Sequence, residues 1–216
     1  MITNTNSIFS KVFIWLFIGL ALAFGSGYVV SNNETMMQNL FGGPGFWVVI
    51  IVQFGAAIFL GARIHKMSLM TAAVTYLLFT LMMGFTLSGI FVIYEMESII
   101  WVFAITSVTC LIFGLFGYFT DIDLTKIGSI LFMGLIALII AQIANIFIKS
   151  ETFDIVLCMI GIVVFLIYVA YDIQKIKLQL STVENKEAMA VYGAFRLFLD
   201  FINVFIRILR LMGKRR

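Results

Sequence analysis

Long apolar runs separated by short polar gaps dominate the pattern of this chain. Seven runs occur, each close to the roughly 20 residues that a helix needs to cross about 30 Å of hydrocarbon. They cover about residues 12–30, 46–62, 69–93, 99–119, 127–148, 153–171 and 188–211. The short alternating segments of a transmembrane barrel do not occur. The pattern predicts an all-α integral membrane protein with seven transmembrane helices, forming a single domain over residues 1–216.

Composition agrees with a membrane protein. Of 216 residues, 62% are hydrophobic and only 12% are charged, whereas about a quarter of the residues of a soluble domain are charged. The net charge of +3 does not indicate nucleic acid as a partner, because five of the fourteen basic residues are clustered at the C-terminus. There they would meet anionic lipid headgroups. Cys110 and Cys158 lie inside apolar runs and are expected to be packing residues rather than a disulfide.

Basic residues in the polar gaps predict the orientation of the chain. With the N-terminus in the cytoplasm, the outer gaps at about 31–45, 94–98 and 149–152 contain one basic residue, Lys149. The cytoplasmic gaps hold the other loop lysines and Arg63. This bias predicts an N-inside protein. A full crossing by the last run would place the basic C-terminus outside, against the same rule, so the side of the C-terminus stays open.

The last apolar run carries a polar stripe. Its members follow the spacing i, i+4, i+7, i+11 and i+14 and fall within an arc of about 80° on a helix; they are Arg196, Asp200, Asn203, Arg207 and Arg210. Lipid does not tolerate such a stripe, so it should face the protein interior or water. This predicts a central C-terminal helix with the other six wrapped around it. In the alternative interpretation, Arg196 and Asp200 neutralise each other as a structural pair.

Asp200 and Asp172 are the candidate functional pair. An ionised Asp at the bilayer centre costs about 2.5–3.5 kcal/mol on insertion scales, and Asp172, at the end of the sixth run, is either its partner or an interfacial charge. Two carboxylates in contact cannot both ionise cheaply, so they would share a proton. Arg63 could replace that proton, or it could simply extend to the interface. Because Ca²⁺ requires six to eight oxygens, any calcium contact with Asp172 and Asp200 would be weak and transient.

The sequence does not predict an enzyme, a catalytic residue or a resident cofactor. His65 is the only histidine, which excludes the His pair of metalloproteases, and it is expected to be solvated at a membrane edge rather than part of a Ser-His set. Intramembrane aspartyl proteases also use two aspartates, but Phe198-Leu199 precedes Asp200 here, in place of the Gly-x-Gly that those enzymes require.

Several motifs, in order along nearly the whole chain, resemble the Bax inhibitor-1 (TMBIM) family, and in particular its short bacterial members. They are Thr86-Leu87-Ser88, the stretch 117–125 (GYFTDIDLT), Met133-Gly134-Leu135 with Asn145, the stretch 170–177 (AYDIQKIK) and the stretch 199–205 (LDFINVF). The last two are the most specific.

The resemblance implies a bacterial inner-membrane protein with seven helices, the last one central, that acts as a pH-sensitive calcium leak. Asp172 and Asp200 match the family's proton-sharing aspartates, and Arg63 falls near the basic position that latches to them. Gln53 stands where the family has an acid, which puts the affinity for cations in doubt. The alternative is an interaction protein that restrains a membrane-bound AAA protease or modulates a stress or cell-death response, through its termini. A monomer is favoured, with the lipid bilayer and calcium ions as partners.

Overall fold

The computed structural model describes the backbone of residues 2–216 and the side chains of residues 7–216. The described chain forms eight α-helices and two short 3-10 turns, at Ile64–Lys66 and Leu124–Ile127, and no strand beyond an isolated bridge. The helices are α1 (Ile2–Ser31), α2 (Glu34–Phe41), α3 (Gly45–Arg63), α4 (Leu69–Ile93), α5 (Met96–Phe119), α6 (Gly128–Ile148), α7 (Glu151–Thr182) and α8 (Lys186–Met212). Seven of them, all except α2, are long and apolar enough to cross a membrane, which confirms the predicted class.

The apolar runs located the spans well, and the differences lie in polar sequence. The predicted run 69–93 matches α4 at both ends, and the other spans begin or end within a few residues of the prediction, apart from the start of α1 and the end of α7. α1 begins at Ile2, so most of the terminal segment 1–10 is helical and only Met1 lies outside the described residues. The short α2 was not predicted, because it is mostly polar; Asn33 caps it by accepting from the backbone N–H of Met36.

α7 continues eleven residues beyond the predicted end at 171. Its 32 residues span about 48 Å, which exceeds the roughly 30 Å of hydrocarbon. The extension stays helical because Ile173, Ile176 and Leu180 recur on one face and are all buried. Asp172 is therefore inside a continuous helix and not at a helix end.

The chain divides into two compact units. The first contains everything up to Glu95, together with Leu178–Phe198 and Arg215–Arg216. In it α4 packs along both α1 and α3. A Cβ added to Gly27 would lie 2.9 Å from the carbonyl oxygen of Gly84, so α1 and α4 approach closely through small residues.

Aromatic side chains fill the interior of this first unit. Tyr76 is fully buried and donates its hydroxyl to the carbonyl of Trp15 at 3.0 Å. Phe198, also fully buried, meets the rings of Tyr76 and Phe79 edge-on at 6.2 and 6.0 Å. The start of α8 is attached to the unit by Asn185, whose side-chain amide donates to the carbonyl of Met67 at 2.8 Å.

The basic C-terminus is also anchored in the first unit. Arg215 forms an isolated antiparallel bridge with Tyr94, and the backbone N–H of Arg216 donates to the carbonyl of Ile93 at 3.0 Å. Both arginine side chains remain exposed. The C-terminus, which the alternative of an interaction protein uses to bind its partner, is therefore attached to the first unit through its backbone.

The second unit contains Met96–Lys177 and Leu199–Lys214, which are α5, α6, most of α7 and the second half of α8. α5 packs on α8 through Phe103, whose ring lies 5.2 Å from that of Phe201 and 6.4 Å from that of Phe205. Gln174 of α7 binds the connection before α6: its side chain donates to the carbonyl of Ile122 and accepts from the N–H of Leu124.

Burial distinguishes α8 from the other spans. In its most apolar 18-residue stretch 72% of the residues are buried, against 11–39% in the other six. A helix that carries charges along one face must keep that face away from lipid. The burial of α8 agrees with the interior position that its polar stripe predicted.

Candidate functional site

Asp172 and Asp200 are both nearly inaccessible and both belong to the second unit. Their exposed fractions are 3% and 5%. Asp172 lies on α7 between Tyr171 and Ile173, which are themselves buried, and Asp200 lies on α8 beside Phe201. Asp172 is therefore enclosed by protein, and its role as the partner of Asp200 or as an interfacial charge stays a prediction.

The two helices that carry these aspartates both pack on α5. On the α7 side, a Cβ added to Gly117 would fall 2.7 Å from the Cα of Ala170, and one added to Gly114 would lie 3.7 Å from the side chain of Ile173. On the α8 side, Cys110 is within electrostatic range of Asp200. Residues 110–117 span about two helical turns, or about 10.5 Å. The turn bearing Asp172 therefore contacts α5 at Gly114 and Gly117, and Asp200 lies within electrostatic range of Cys110 on the same helix.

The glycines of α5 are the reason that α7 comes so close. Backbone atoms of Ala170 occupy the space that a side chain at position 117 would fill. Small residues at helix contacts in a membrane allow such an approach and bring van der Waals attraction with it. The contact fixes the helical turn of α7 on which Asp172 lies.

Arg207 is the third buried charge of this unit. It is 7% exposed, and its guanidinium lies over the ring of Phe165, 5.3 Å from the ring centre. Nη1 donates to the backbone carbonyl of Leu157 at 3.4 Å. With the amide of Gln142 oriented so that its oxygen faces the guanidinium, that oxygen accepts from Nη1 at 2.7 Å and from Nη2 at 2.9 Å. A Cβ on Gly161 would lie 2.5 Å from Nε, so the guanidinium occupies the space that a side chain at position 161 would fill.

No carboxylate within the described part of the chain lies at salt-bridge distance from Arg207. The nearby acid is Asp154, and it is bound by Arg210, whose Nη1 lies 2.8 Å from a carboxylate oxygen. Both members of that pair are partly exposed. The contacts of Arg207 are thus with neutral dipoles and an aromatic face, and its positive charge is not cancelled by a direct ion pair.

The remaining members of the predicted stripe are less buried. Asn203 is half-buried, and its amide donates to the carbonyl of Leu199, on its own helix, at 2.8 Å. Arg196 is half-buried and lies in the first unit. Its pairing with Asp200 as a structural alternative stays a prediction. Arg210 is exposed.

Arg63 is the last residue of α3, in the first unit, and its side chain is exposed. Its role as a latch for the aspartates stays a prediction. Gln53 of α3 accepts from the hydroxyl of Thr86 on α4 at 3.1 Å, and this is the interhelical hydrogen bond expected of an amide within a span.

The contacts of Arg207 are what sequence reasoning missed. Leu157, Gly161 and Phe165 recur every four residues along α7 and so share one face. That spacing was visible in the sequence, but the helix facing it was not. Cys110 and Cys158 are both free thiols, as expected.

Metal ligands are sparse. Across residues 2–216, no group of three or more His, Cys, Asp or Glu side chains lies together in a way that could hold an ion. A resident calcium site would require more oxygens than two aspartates supply.

Known proteins match this chain over almost all of its length. Residues 5–216 match the family described as Inhibitor of apoptosis-promoting Bax1. The inner membrane protein YbhL of Escherichia coli K12 is 34% identical, over 96% of this chain and 91% of its own. An uncharacterized protein of Borreliella burgdorferi is 38% identical, over 98% of this chain and 93% of its own. One of Rickettsia prowazekii is 35% identical, over 95% and 89%.

The order of the matching sequence agrees with the fold. The match runs from the start of α1 to the end of the chain, and so includes all seven spans and the turns that carry Asp172 and Asp200. The chain is a membrane protein and belongs to the Bax inhibitor-1 family.

Proposed function

We propose that this protein is a pH-sensitive calcium leak of a bacterial inner membrane, with its N-terminus in the cytoplasm, in which Asp172 and Asp200 act together as the proton sensor. The observation that carries the proposal is the burial of both carboxylates, at 3% and 5% exposure, on two helices that both pack on α5. The inner-membrane location rests on the similarity to YbhL.

The physical argument concerns what two buried carboxylates can do. In a low dielectric, two negative charges a few ångströms apart repel strongly, so a pair keeps one proton between them over a wide range of pH. Loss of that proton adds repulsion that must be relieved. Relief comes either from separation of the helices or from a cation that enters between them, and both favour passage of calcium.

Arg63 enters the proposal as the group that balances the doubly ionised pair. A guanidinium can bind a carboxylate with two parallel hydrogen bonds, and the resemblance assigns this latch to the end of the helix that Arg63 terminates. Calcium then competes with Arg63 for the same carboxylates. The transient contact of Ca²⁺ with Asp172 and Asp200 gives passage without storage.

The test is calcium flux into dye-loaded proteoliposomes at several pH values between roughly pH 5 and 8, because a coupled pair of carboxylates titrates as a unit. Wild type is expected to show a leak that changes with pH. Asp172→Asn or Asp200→Asn leaves a single carboxylate and should flatten that dependence. The matched control is Asp121→Asn, which makes the same change in an exposed loop acid of the same unit and should keep the wild-type pH profile.

Two outcomes contradict the proposal. A wild-type pH profile in both aspartate variants would show that Asp172 and Asp200 are not the proton sensor. Flux no greater than that of empty liposomes at any pH would refute the leak activity. It would favour the alternative, an interaction protein that restrains a membrane-bound AAA protease. Co-purification with such a protease, lost on truncation of the termini, is the measurement for that alternative.

A further inference from the structure

We propose that Arg207 is a specificity-determining residue, a fixed positive charge that limits the passage of divalent cations past Asp200. This inference rests on the proposed leak and adds to it a residue outside the aspartate pair. It is carried by the geometry around the guanidinium: burial, hydrogen bonds to neutral groups, and a position on the same helix face as Asp200.

Arg207 lies directly along the helix from Asp200. Seven residues separate them, which places the two side chains about 20° apart around the helix and about 10.5 Å apart along its axis. Both belong to the second unit and both are buried. An ion that follows the polar face of α8 to or from Asp200 therefore passes the guanidinium.

The guanidinium is held in place by four groups from two other helices. Gln142 of α6 accepts two hydrogen bonds, the carbonyl of Leu157 accepts one, Phe165 offers its ring face, and Gly161 leaves the space. These contacts restrict the side chain to one place without neutralising it. An arginine is always charged at physiological pH, so the barrier does not titrate.

The neighbouring charged groups do not cancel the positive charge of Arg207. The groups within electrostatic range of Arg207 are Cys158, Arg210 and Asp154. Asp154 and Arg210 form their own pair, at 2.8 Å, and both are partly exposed, so their effects largely cancel and are screened by solvent. Arg207 is the buried charged residue of this cluster, and Cys158 is a buried neutral thiol.

The valence of the ion provides a test that no purely structural role would pass. The electrostatic energy of a divalent ion near one positive charge is twice that of a monovalent ion, so its Boltzmann factor is the square. For an ion at Asp200, about 10 Å from the guanidinium, the repulsion depends on the effective dielectric constant, taken between about 20 and 80. Over that range, removal of the charge raises monovalent flux about 16-fold to 2-fold and divalent flux about 250-fold to 4-fold.

The experiment compares wild type with Arg207→Met and Arg207→Lys in proteoliposomes, with Ca²⁺ and K⁺ flux measured on the same preparations at one pH. Arg207→Met keeps an unbranched side chain beside Gly161 but removes the charge. It is expected to raise Ca²⁺ flux by the square of the factor for K⁺. Arg207→Lys keeps the charge and loses the forked hydrogen bonds, so its Ca²⁺-to-K⁺ ratio should match that of wild type. Lys126→Met removes a charge whose side chain is 80% exposed and should leave the ratio unchanged.

The outcomes separate this inference from the proposed function. An unchanged Ca²⁺-to-K⁺ ratio in Arg207→Met, with wild type leaking, overturns the role of Arg207 and leaves the leak standing. An equal change in the ratio for Arg207→Lys also overturns it, because the cause would then be packing. If neither wild type nor Arg207→Met leaks above empty liposomes, both proposals fall. A leak that appears only in Arg207→Met and favours Ca²⁺ supports the barrier.

Discussion

Gly117→Ala is the sharpest test of the packing that holds Asp172 in position. The new Cβ would lie 2.7 Å from the Cα and the carbonyl carbon of Ala170, with the carbonyl oxygen nearer still. Carbon atoms in good contact are about 3.5–4.0 Å apart, so α5 and α7 would have to separate by about 1 Å. All of these neighbouring atoms are backbone, so no change of side-chain rotamer can relieve the overlap.

The magnitude follows from two opposing effects. Overpacking of a tight contact costs about 1–3 kcal/mol, and an overlap with backbone belongs to the upper part of that range, about 2–3 kcal/mol. Alanine regains about 1 kcal/mol of helix propensity. The net loss is about 1–2 kcal/mol, which for a chain of this size lowers the Tm by about 2–8 °C. Because Ala170 is two residues from Asp172, the same shift should also displace the pH profile of calcium flux.

Gly114→Ala provides the matched control on the same helix. Its Cβ would meet the side chain of Ile173 at 3.7 Å, an ordinary van der Waals contact. The propensity gain then remains, and the Tm should stay constant or rise by up to about 4 °C. The measurement is thermal unfolding of both variants in the same detergent. An equal change in the two variants, or a Gly117→Ala variant as stable as wild type, would refute the close approach of α5 and α7.

Two further predictions concern stability. Phe198→Ala should lower the free energy of unfolding by about 3–5 kcal/mol, because the fully buried ring packs on Tyr76 and Phe79; Phe147→Ala, at a ring that is 81% exposed, should change it by no more than about 0.5 kcal/mol in a thermal or denaturant titration. The hydroxyl of Thr125, with smaller effects of the Thr125 N–H and Lys126, lowers the pKa of Asp123. A lowered folded-state pKa adds stability above the unfolded value, which is lost as pH falls through the folded value, so the cost of Thr125→Val should vanish in acid; a cost that persists at the lowest pH would contradict this.

The spans were predictable because their length is imposed by the bilayer. A helix of about 20 apolar residues is a requirement of the hydrocarbon thickness itself, so α4 could be located to the residue from composition. The interior position of α8 followed from its charges for a similar reason. α2 and the last eleven residues of α7 were not predicted, because they lie outside the apolar runs. They depend on local features, the cap that Asn33 provides and a buried stripe through Ile176.

The neighbours of each helix were not predictable, and the reason lies in the solvent. In water, buried and exposed positions differ in polarity, but lipid is as apolar as the protein interior. Phe147 and Phe198 illustrate this: both lie in spans, yet one is 81% exposed and the other is fully buried. The sequence therefore showed Arg207 as a polar group within a span but gave no indication that it meets Gln142 of another span.

The energetics of Arg207 explain why a charge there calls for a functional account. Placing an arginine within the membrane costs about 2.5–3.5 kcal/mol on insertion scales. Interhelical hydrogen bonds in a membrane contribute about 0.6 kcal/mol each, and a desolvated cation–π contact contributes up to about 2 kcal/mol. The three hydrogen bonds and the contact with Phe165 thus offset the cost and leave little net stability. The positive charge therefore adds little net stability, and its proposed consequence lies in the field that it sets along α8 toward Asp200.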